Sequence, residues 1–321
     1  MPEYPDNLKL FRPGTDDDVG VEASLEENFV KIDKNLGDML KDLDGKTWDS
    51  AGARVNEYQR SLKASQGDIN KLKKKNPNAR LDTHFFRMIA HRGARGCAPE
   101  NTLMAYAYAV DMGYWGIETS IQLTSDNKWV CFQYDTIDNH SNGKGTIASK
   151  TLAQLKALDF GSWYGVQYKD ERIPTIEEFF EICRLGECVP YIEIEKSVTD
   201  VNIEKIVNIA RDFDMEDSVV FLSPVYSNLQ KVRYYSDYMA VGYSKKSGTP
   251  AQKDIDDTLA LGNAFLNLQR SKVTPDFMKK AIEARLHVEA HVIDSNDELR
   301  ELILLGIRGA QSNDIPMARG Y

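Results

Sequence analysis

Short apolar runs alternate with amphipathic ones along most of the chain. Between residues 87 and 316, apolar stretches rich in β-formers recur at 88–90, 116–121, 129–132, 191–194, 219–222, 239–242, 264–268 and 288–293. Segments of helical period lie between them, among them 102–112, 152–158, 176–185, 201–213 and 297–305. Eight extended runs interleaved with helices predict an α/β protein, a (β/α)8 TIM barrel. A doubly wound open sheet is the competing arrangement, but no glycine-rich nucleotide-binding turn opens the series. Barrels of this kind carry their chemistry at the C-terminal ends of the strands, which is where His91, Ser120, Gln133 and Glu195 fall.

Residues 1–20 show neither period. Pro2, Pro5, Pro13, Gly14 and Gly20, with the acidic run Asp16-Asp17-Asp18, predict an extended attachment arm. Residues 21–81 turn helical. Ser24 and Glu27 fit a capping box, and Leu25, Phe29, Ile32, Leu36, Met39 and Leu43 recur at alternating spacings of four and three. After residues 45–52 the seam resumes at Val55, Tyr58, Leu62, Ile69 and Leu72, with Ser65 inside it. Two packings fit: helices folded back on each other or on the main domain, or seams paired between chains as an oligomerising coiled-coil stalk, trimer or dimer. Asn76-Pro77-Asn78 ends the second helix, so the barrel domain is placed at 82–321.

At 321 residues there is room for a large domain and an appendage. No apolar run has the length of a membrane span and no signal peptide opens the chain, so neither membrane insertion nor signal-directed secretion is expected. Of the net charge of −9, nearly all lies beyond residue 80, where 26 Lys+Arg face 34 Asp+Glu. That balance argues against nucleic acid as a partner. Cys97, Cys131, Cys183 and Cys188 are scattered without metal-type spacing, and reduced, mostly buried thiols are expected.

Candidate chemistry concentrates in IAHRGARGCAPENT (89–102), which places an imidazole, a guanidinium and a carboxylate at one barrel rim. Further blocks follow in order: GIETSIQLTSDNKWVCFQYD (116–135), NGKG (142–145), DFGSW (159–163), RIPTIEEFF (172–180), YIEIEK (191–196) and GIRGAQSNDIP (306–316). Together they resemble the glycerophosphodiester phosphodiesterase family. The resemblance implies His91 as a catalytic histidine, Arg92 as the phosphate-contacting arginine, and Glu118 and Glu193 as ligands of a divalent cation, Ca²⁺ or Mg²⁺. It implies Glu100 and Asn101 as substrate-side residues that shape the site. Two imidazoles would move the protons, and a hard cation with an arginine would neutralise the phosphoryl oxygens.

Several positions depart from the family pattern. Ser120 stands where the family has a metal-binding Asp, which weakens the cation site. Gln133 replaces the second catalytic histidine, Glu195 replaces a lysine beside Lys196, and Ala290 stands near an expected tryptophan. Losing a general acid or base costs about 100- to 10,000-fold. Of the remaining histidines, His291 near the end of the last strand run is the better substitute. His140 lies in the loop before NGKG, and His84 and His287 read as helix or linker surface residues. Gln133, Glu195 and His291 are therefore expected on the substrate side of the rim.

The segment from Asn7 to Leu40 is similar to the opening of tail or baseplate proteins of phages of Gram-positive bacteria. The combined resemblance implies a virion tail protein, made in the host cytoplasm and joined to other tail proteins through its N-terminus. Its barrel would recognise, and slowly cleave, glycerophosphate polymers such as teichoic acid. A fully active metal-dependent phosphodiesterase and an inert structural barrel are the competing readings.

Overall fold

The computed structural model of the chain describes residues 86–313. The attachment arm, the heptad seams, the boundary at 82, His84 and the chain beyond Asn313 lie outside the described residues. Among the described residues there are nine strands: β1 (Arg87–Ala90), β2 (Gly116–Leu123), β3 (Trp129–Cys131), β4 (Val189–Glu193), β5 (Val220–Ser223), β6 (Ala240–Lys245), β7 (Ala264–Gln269), β8 (His287–His291) and β9 (Gly309–Ser312). Eight of them, all but β3, pair in parallel in the order β1, β2, β4 to β9, and β9 returns to pair with β1. The ring is closed, and the architecture is the (β/α)8 barrel.

Eight strands were expected and eight close the ring, but the membership differs. The run at 129–132 forms β3, an antiparallel appendage on the end of β2 (Ile121 opposite Cys131). The missing stave is β9, whose sequence GAQS carries no apolar run to announce it. His287 opens β8 and is partly buried, where a helix or linker surface position was expected.

The α-helices are α1 (Leu103–Asp111), α2 (Leu152–Lys156), α3 (Ile176–Gly186), α4 (Asp200–Asp212), α5 (Tyr226–Tyr235), α6 (Gln252–Ala260), α7 (Pro275–Glu283) and α8 (Asn296–Leu305). Local chemistry starts most of them. Thr102, Thr151, Thr175, Thr199, Thr274 and Ser295 each accept a hydrogen bond from the backbone N–H three residues on, satisfying one orphan donor of the first turn.

Strand alternation divides the core into two layers. One parity, with Ile89, Tyr191, Leu222 and Phe265, packs inside the ring. The other, with Ala90, Ile117, Phe221, Val241, Leu266 and Val288, joins the helices. Gly242 lies on the inner parity, and a Cβ there would collide with Leu222 and Phe265, so the filled interior requires glycine. Among the described residues no helix is long and apolar enough to cross a membrane. All four cysteines are free, three of them buried.

Candidate active site

Inner parity, carried to the C-terminal ends of the strands, selects the rim. It delivers His91 after β1, Glu118 and Ser120 on β2, Glu193 and Glu195 at and beyond the end of β4, and His291 on β8. Continuing β6 by one residue past Lys245 delivers Lys246, which the sequence reading did not single out. Ser120 and Glu193 are register partners across β2 and β4.

The β1 side is built on backbone geometry. Arg92 has φ of 60°, unusual for a side-chain-bearing residue, and its N–H reaches Glu118 Oε2 at 2.8 Å. Gly93 follows at φ of 77°, and a Cβ there would strike the backbone of Ala105 in α1. The Arg92 guanidinium donates from one terminal nitrogen to Glu100 Oε1 (2.9 Å) and to the Tyr134 hydroxyl (3.1 Å). Glu100 also pairs with Arg95 at 3.0 Å. The buried Arg92 Nε donor has no partner. Asn101, at φ of 54°, donates its N–H to the Arg92 carbonyl, and its Oδ1 accepts from the Thr119 hydroxyl at 3.0 Å. It thus pins the loop to the outer face of β2.

Both rim imidazoles are held the same way. His91 Nδ1 lies 2.9 Å from Asn313 Oδ1, and Asn313 Nδ2 donates to Asp294 Oδ2 at 2.9 Å. His291 Nδ1 lies 3.0 Å from Asn267 Oδ1, with Asn267 Nδ2 directed to the Ser244 hydroxyl at 3.4 Å. An amide oxygen only accepts, so each imidazole carries its proton on Nδ1 and leaves the Nε2 lone pair free. Burial, reinforced by the charge of Arg92, holds His91 well below the ordinary histidine value. Burial, with Lys246 and Lys272, brings His291 down to about 4. At neutral pH both are bases, and neither is an imidazolium ready to protonate a leaving alkoxide. Asn267, Asn313 and Asp294 were not singled out from sequence, although Asn313 sits inside the quoted GIRGAQSNDIP block.

The β2–β4–β6 side is a chain of hydrogen bonds. The Ser120 hydroxyl donates to Gln133 Oε1, and Gln133 Nε2 donates to Glu195 Oε1 at 2.6 Å. Lys246 Nζ donates to Glu195 Oε1 and, at 3.2 Å, to Glu193 Oε2. Burial pulls Glu195 upward, but hydrogen bonds from Gln133 and Lys246 outweigh it and keep the carboxylate charged. Burial, then the charge of Glu193, pushes Glu118 up to about 8. A cavity of about 190 Å³, bounded partly by Ser120, Gln133, Glu195 and Trp129, opens beside this network.

The other sequence candidates are placed differently. His140 stacks on Tyr134 (centroids 4.0 Å apart) with Trp163 edge-on at 4.5 Å, and lines a small pocket with Glu100 and Asn101 beside Arg92. Lys196 pairs with Asp135 at 2.5 Å, both side chains exposed. Ala290 has the outward parity and is buried in the barrel–helix layer, where a tryptophan would not face the rim.

A hard divalent cation takes about six oxygen ligands, with carboxylates at the centre of the set. Glu118 already accepts from the Arg92 N–H; Glu193 accepts from Lys246; Ser120 is neutral and its proton is directed to Gln133. Among the described residues no three His, Cys, Asp or Glu side chains converge at metal-ligand geometry. The donor set does not fit a divalent cation, although the family in general depends on one.

Comparison with known proteins agrees with the fold and the motif order. The profile of the "Glycerophosphoryl diester phosphodiesterase family" matches residues 91–316. A glycerophosphodiester phosphodiesterase of Caldanaerobacter subterraneus is 26% identical over 229 residues, covering 71% of this chain and 93% of that one. YhdW of Bacillus subtilis is 30% identical over 226 residues, covering 69% and 92%. The structure of an Oleispira antarctica phosphodiesterase in complex with the product sn-glycerol-3-phosphate superposes with a TM-score of 0.63 at 27% identity, covering 71% of this chain and 92% of that one. The chain belongs to the glycerophosphoryl diester phosphodiesterase family.

Proposed function

We propose that the barrel binds a glycerophosphodiester at the rim formed by His91, Arg92, Glu100, Glu118 and Glu193, and turns it over slowly. The observation that carries this reading is the Ser120–Gln133–Glu195 network. It puts an amide, which cannot shuttle a proton, where the family places its second histidine, while the His91–Arg92 side keeps free hydrogen-bonding capacity. The guanidinium of Arg92, held in place by Glu100 and Tyr134, is the group suited to an anionic phosphoryl oxygen. Glycerol phosphate at the Oleispira enzyme supports the ligand class. The N-terminal resemblance supports a virion tail setting, in which the ligand is a glycerophosphate polymer such as teichoic acid. There an oligomeric N-terminal stalk multiplies weak single-site affinity.

A second reading, full phosphodiesterase activity, draws on one observation: His291 stands close enough to His91 to depress its protonation, and both Nε2 atoms are unclaimed by their Asn partners. One experiment separates the readings. The full chain is tested for retention on polyglycerophosphate teichoic acid, with Arg92→Ala as control, and then incubated with glycerophosphocholine with and without Ca²⁺ or Mg²⁺. Retention lost in Arg92→Ala, with slow product release, is expected. Turnover typical of the family supports the second reading. Equal retention by both proteins overturns the proposal, and no retention by either leaves an inert barrel.

A further inference from the structure

At position 195 the charge expected from the family is reversed, and at position 120 a carboxylate is missing. Taken alone, these changes would leave Glu193 and Glu195 facing each other with no cation between them. The structure supplies one from a different strand. Lys246, the next inward position after β6, places Nζ on Glu195 Oε1 and 3.2 Å from Glu193 Oε2. Its charge also reaches Glu118, the third acid of the cluster. The lysine is held from behind, because Lys272 Nζ donates to its carbonyl oxygen at 3.0 Å. Gln133 completes the clamp by donating to Glu195.

We propose that the Lys246 ammonium is the resident cation of this rim, occupying the electrostatic position a divalent ion holds in the family and making anion binding independent of metal. The inference rests on the reading that the rim binds a glycerophosphodiester. Two observations carry it. Lys246 already occupies one oxygen of each of two carboxylates that an incoming ion would need, and a doubly charged ion would have to displace it from both. The ammonium also offers hydrogen-bond donors to a phosphoryl oxygen, which a carboxylate cluster without it would repel. A covalently attached cation is not lost to a chelator.

The test uses the full chain and two independent readouts. In the first, Ca²⁺ and Mg²⁺ are titrated calorimetrically without any organic ligand. Wild type is expected to show no binding up to millimolar ion, and Lys246→Gln, with its acids released, to take up Ca²⁺. Binding by wild type, or the same absence of binding in both proteins, overturns the proposal. In the second, glycerol 3-phosphate is titrated in EDTA and again in Ca²⁺. Wild type is expected to bind equally in both. Lys246→Gln should lose about tenfold in EDTA, the size of one charge-assisted hydrogen bond, while Lys246→Arg retains affinity and shows that the fold is intact. Unchanged affinity in Lys246→Gln in EDTA also overturns it. If no variant binds glycerol 3-phosphate, the functional reading fails, and the ion titration still decides the role of Lys246.

Discussion

The floor of the barrel offers a sharp energetic test. Arg87 on β1 and Glu289 on β8 form an ion pair at 3.1 Å with side chains 2% and 0% exposed. Glu289 Oε1 also accepts from the Tyr191 hydroxyl at 3.1 Å, and the Arg87 guanidinium lies 5.8 Å from the Trp115 ring and 5.9 Å from Phe265. Glu289 Oε2 and all three guanidinium nitrogens lack hydrogen-bond partners, so the pair is desolvated without being fully satisfied. At an effective dielectric of about 20, contact at this distance gives roughly 5 kcal/mol of attraction. Desolvation costs several kcal/mol per ion, so the net contribution is near zero. Breaking the pair is another matter. Glu289→Gln strands a guanidinium inside the ring and should cost about 3–5 kcal/mol. Arg87→Met should cost less, because Glu289, already pushed upward by burial, can take a proton. The double variant Arg87→Met/Glu289→Leu should return to within about 1 kcal/mol of wild type, or exceed it. Denaturant titration reads this as a midpoint shift at constant slope. A double variant as unstable as Glu289→Gln alone would refute the reasoning. Because β9 joins β1 to β8, glycerol 3-phosphate binding at the rim should survive in the double variant.

Three further outcomes follow from the same structure. Burial pushes Glu171 up to about 7 from an ordinary 4.5; its stabilising contribution is therefore complete below pH 4.5 and lost as pH rises through 7. Glu171→Gln should match wild type near pH 4.5 and exceed it at pH 8 by up to about 3 kcal/mol in urea unfolding, and equal stability at pH 8 would contradict the assignment. His291, brought down to about 4 by burial, acts in the opposite sense: the unfolded chain takes up its proton near 6.5 and the folded one does not. The His291 contribution to stability should fall between pH 6.5 and 4 by at most about 3 kcal/mol, and His291→Gln should flatten the slope by that share, His91 supplying the rest; an unchanged slope would exclude His291 burial as a cause. Gln133→His restores a proton carrier beside Glu195 and should raise release of glycerol 3-phosphate from glycerophosphocholine about 100-fold or more, whereas a rate unchanged within error would show that proton transfer is not what limits turnover.

Much of this was legible in the sequence, for reasons that differ by residue. The barrel class followed from alternation, yet one of the eight runs counted was β3 and the true closing strand was β9. GAQS could not be read as a strand because its pairing is imposed by β1 and β8 on either side, and its inward Gly309 exists to leave room for Glu289. His91, Glu118, Glu193 and Glu195 were legible because motif order and strand parity agree on them. Lys246 was not, because its partners lie 53 and 51 residues away and no local pattern marks it. Only the inward count along β6 would have found it. Asn267 was a detectable oddity, a buried amide inside the apolar strand AFLNLQ, and its partner explains it: it orients His291.

Ser120, Gln133, Glu195 and Lys246 are better understood as one unit than as four separate residues. Glu195 without Lys246 would set two carboxylates against each other at the end of β4. Lys246 without Glu195 would keep only Glu193 as an acceptor. Gln133 needs both neighbours, accepting from Ser120 and donating to Glu195, and an aspartate at 120 would meet the Gln133 oxygen with a second acceptor and no proton between them. Each residue's hydrogen bonds depend on the others, so the four form one connected network at the partly exposed rim. Such a set is hard to leave by single steps: Glu195→Lys alone would place two ammonium groups on Glu193, and Ser120→Asp alone would add an unpaired acid beside Glu118. On the proposed reading, an amide and a tethered ammonium would stand in for a proton carrier and a divalent ion as one connected set, with the His91–Arg92 half kept beside it.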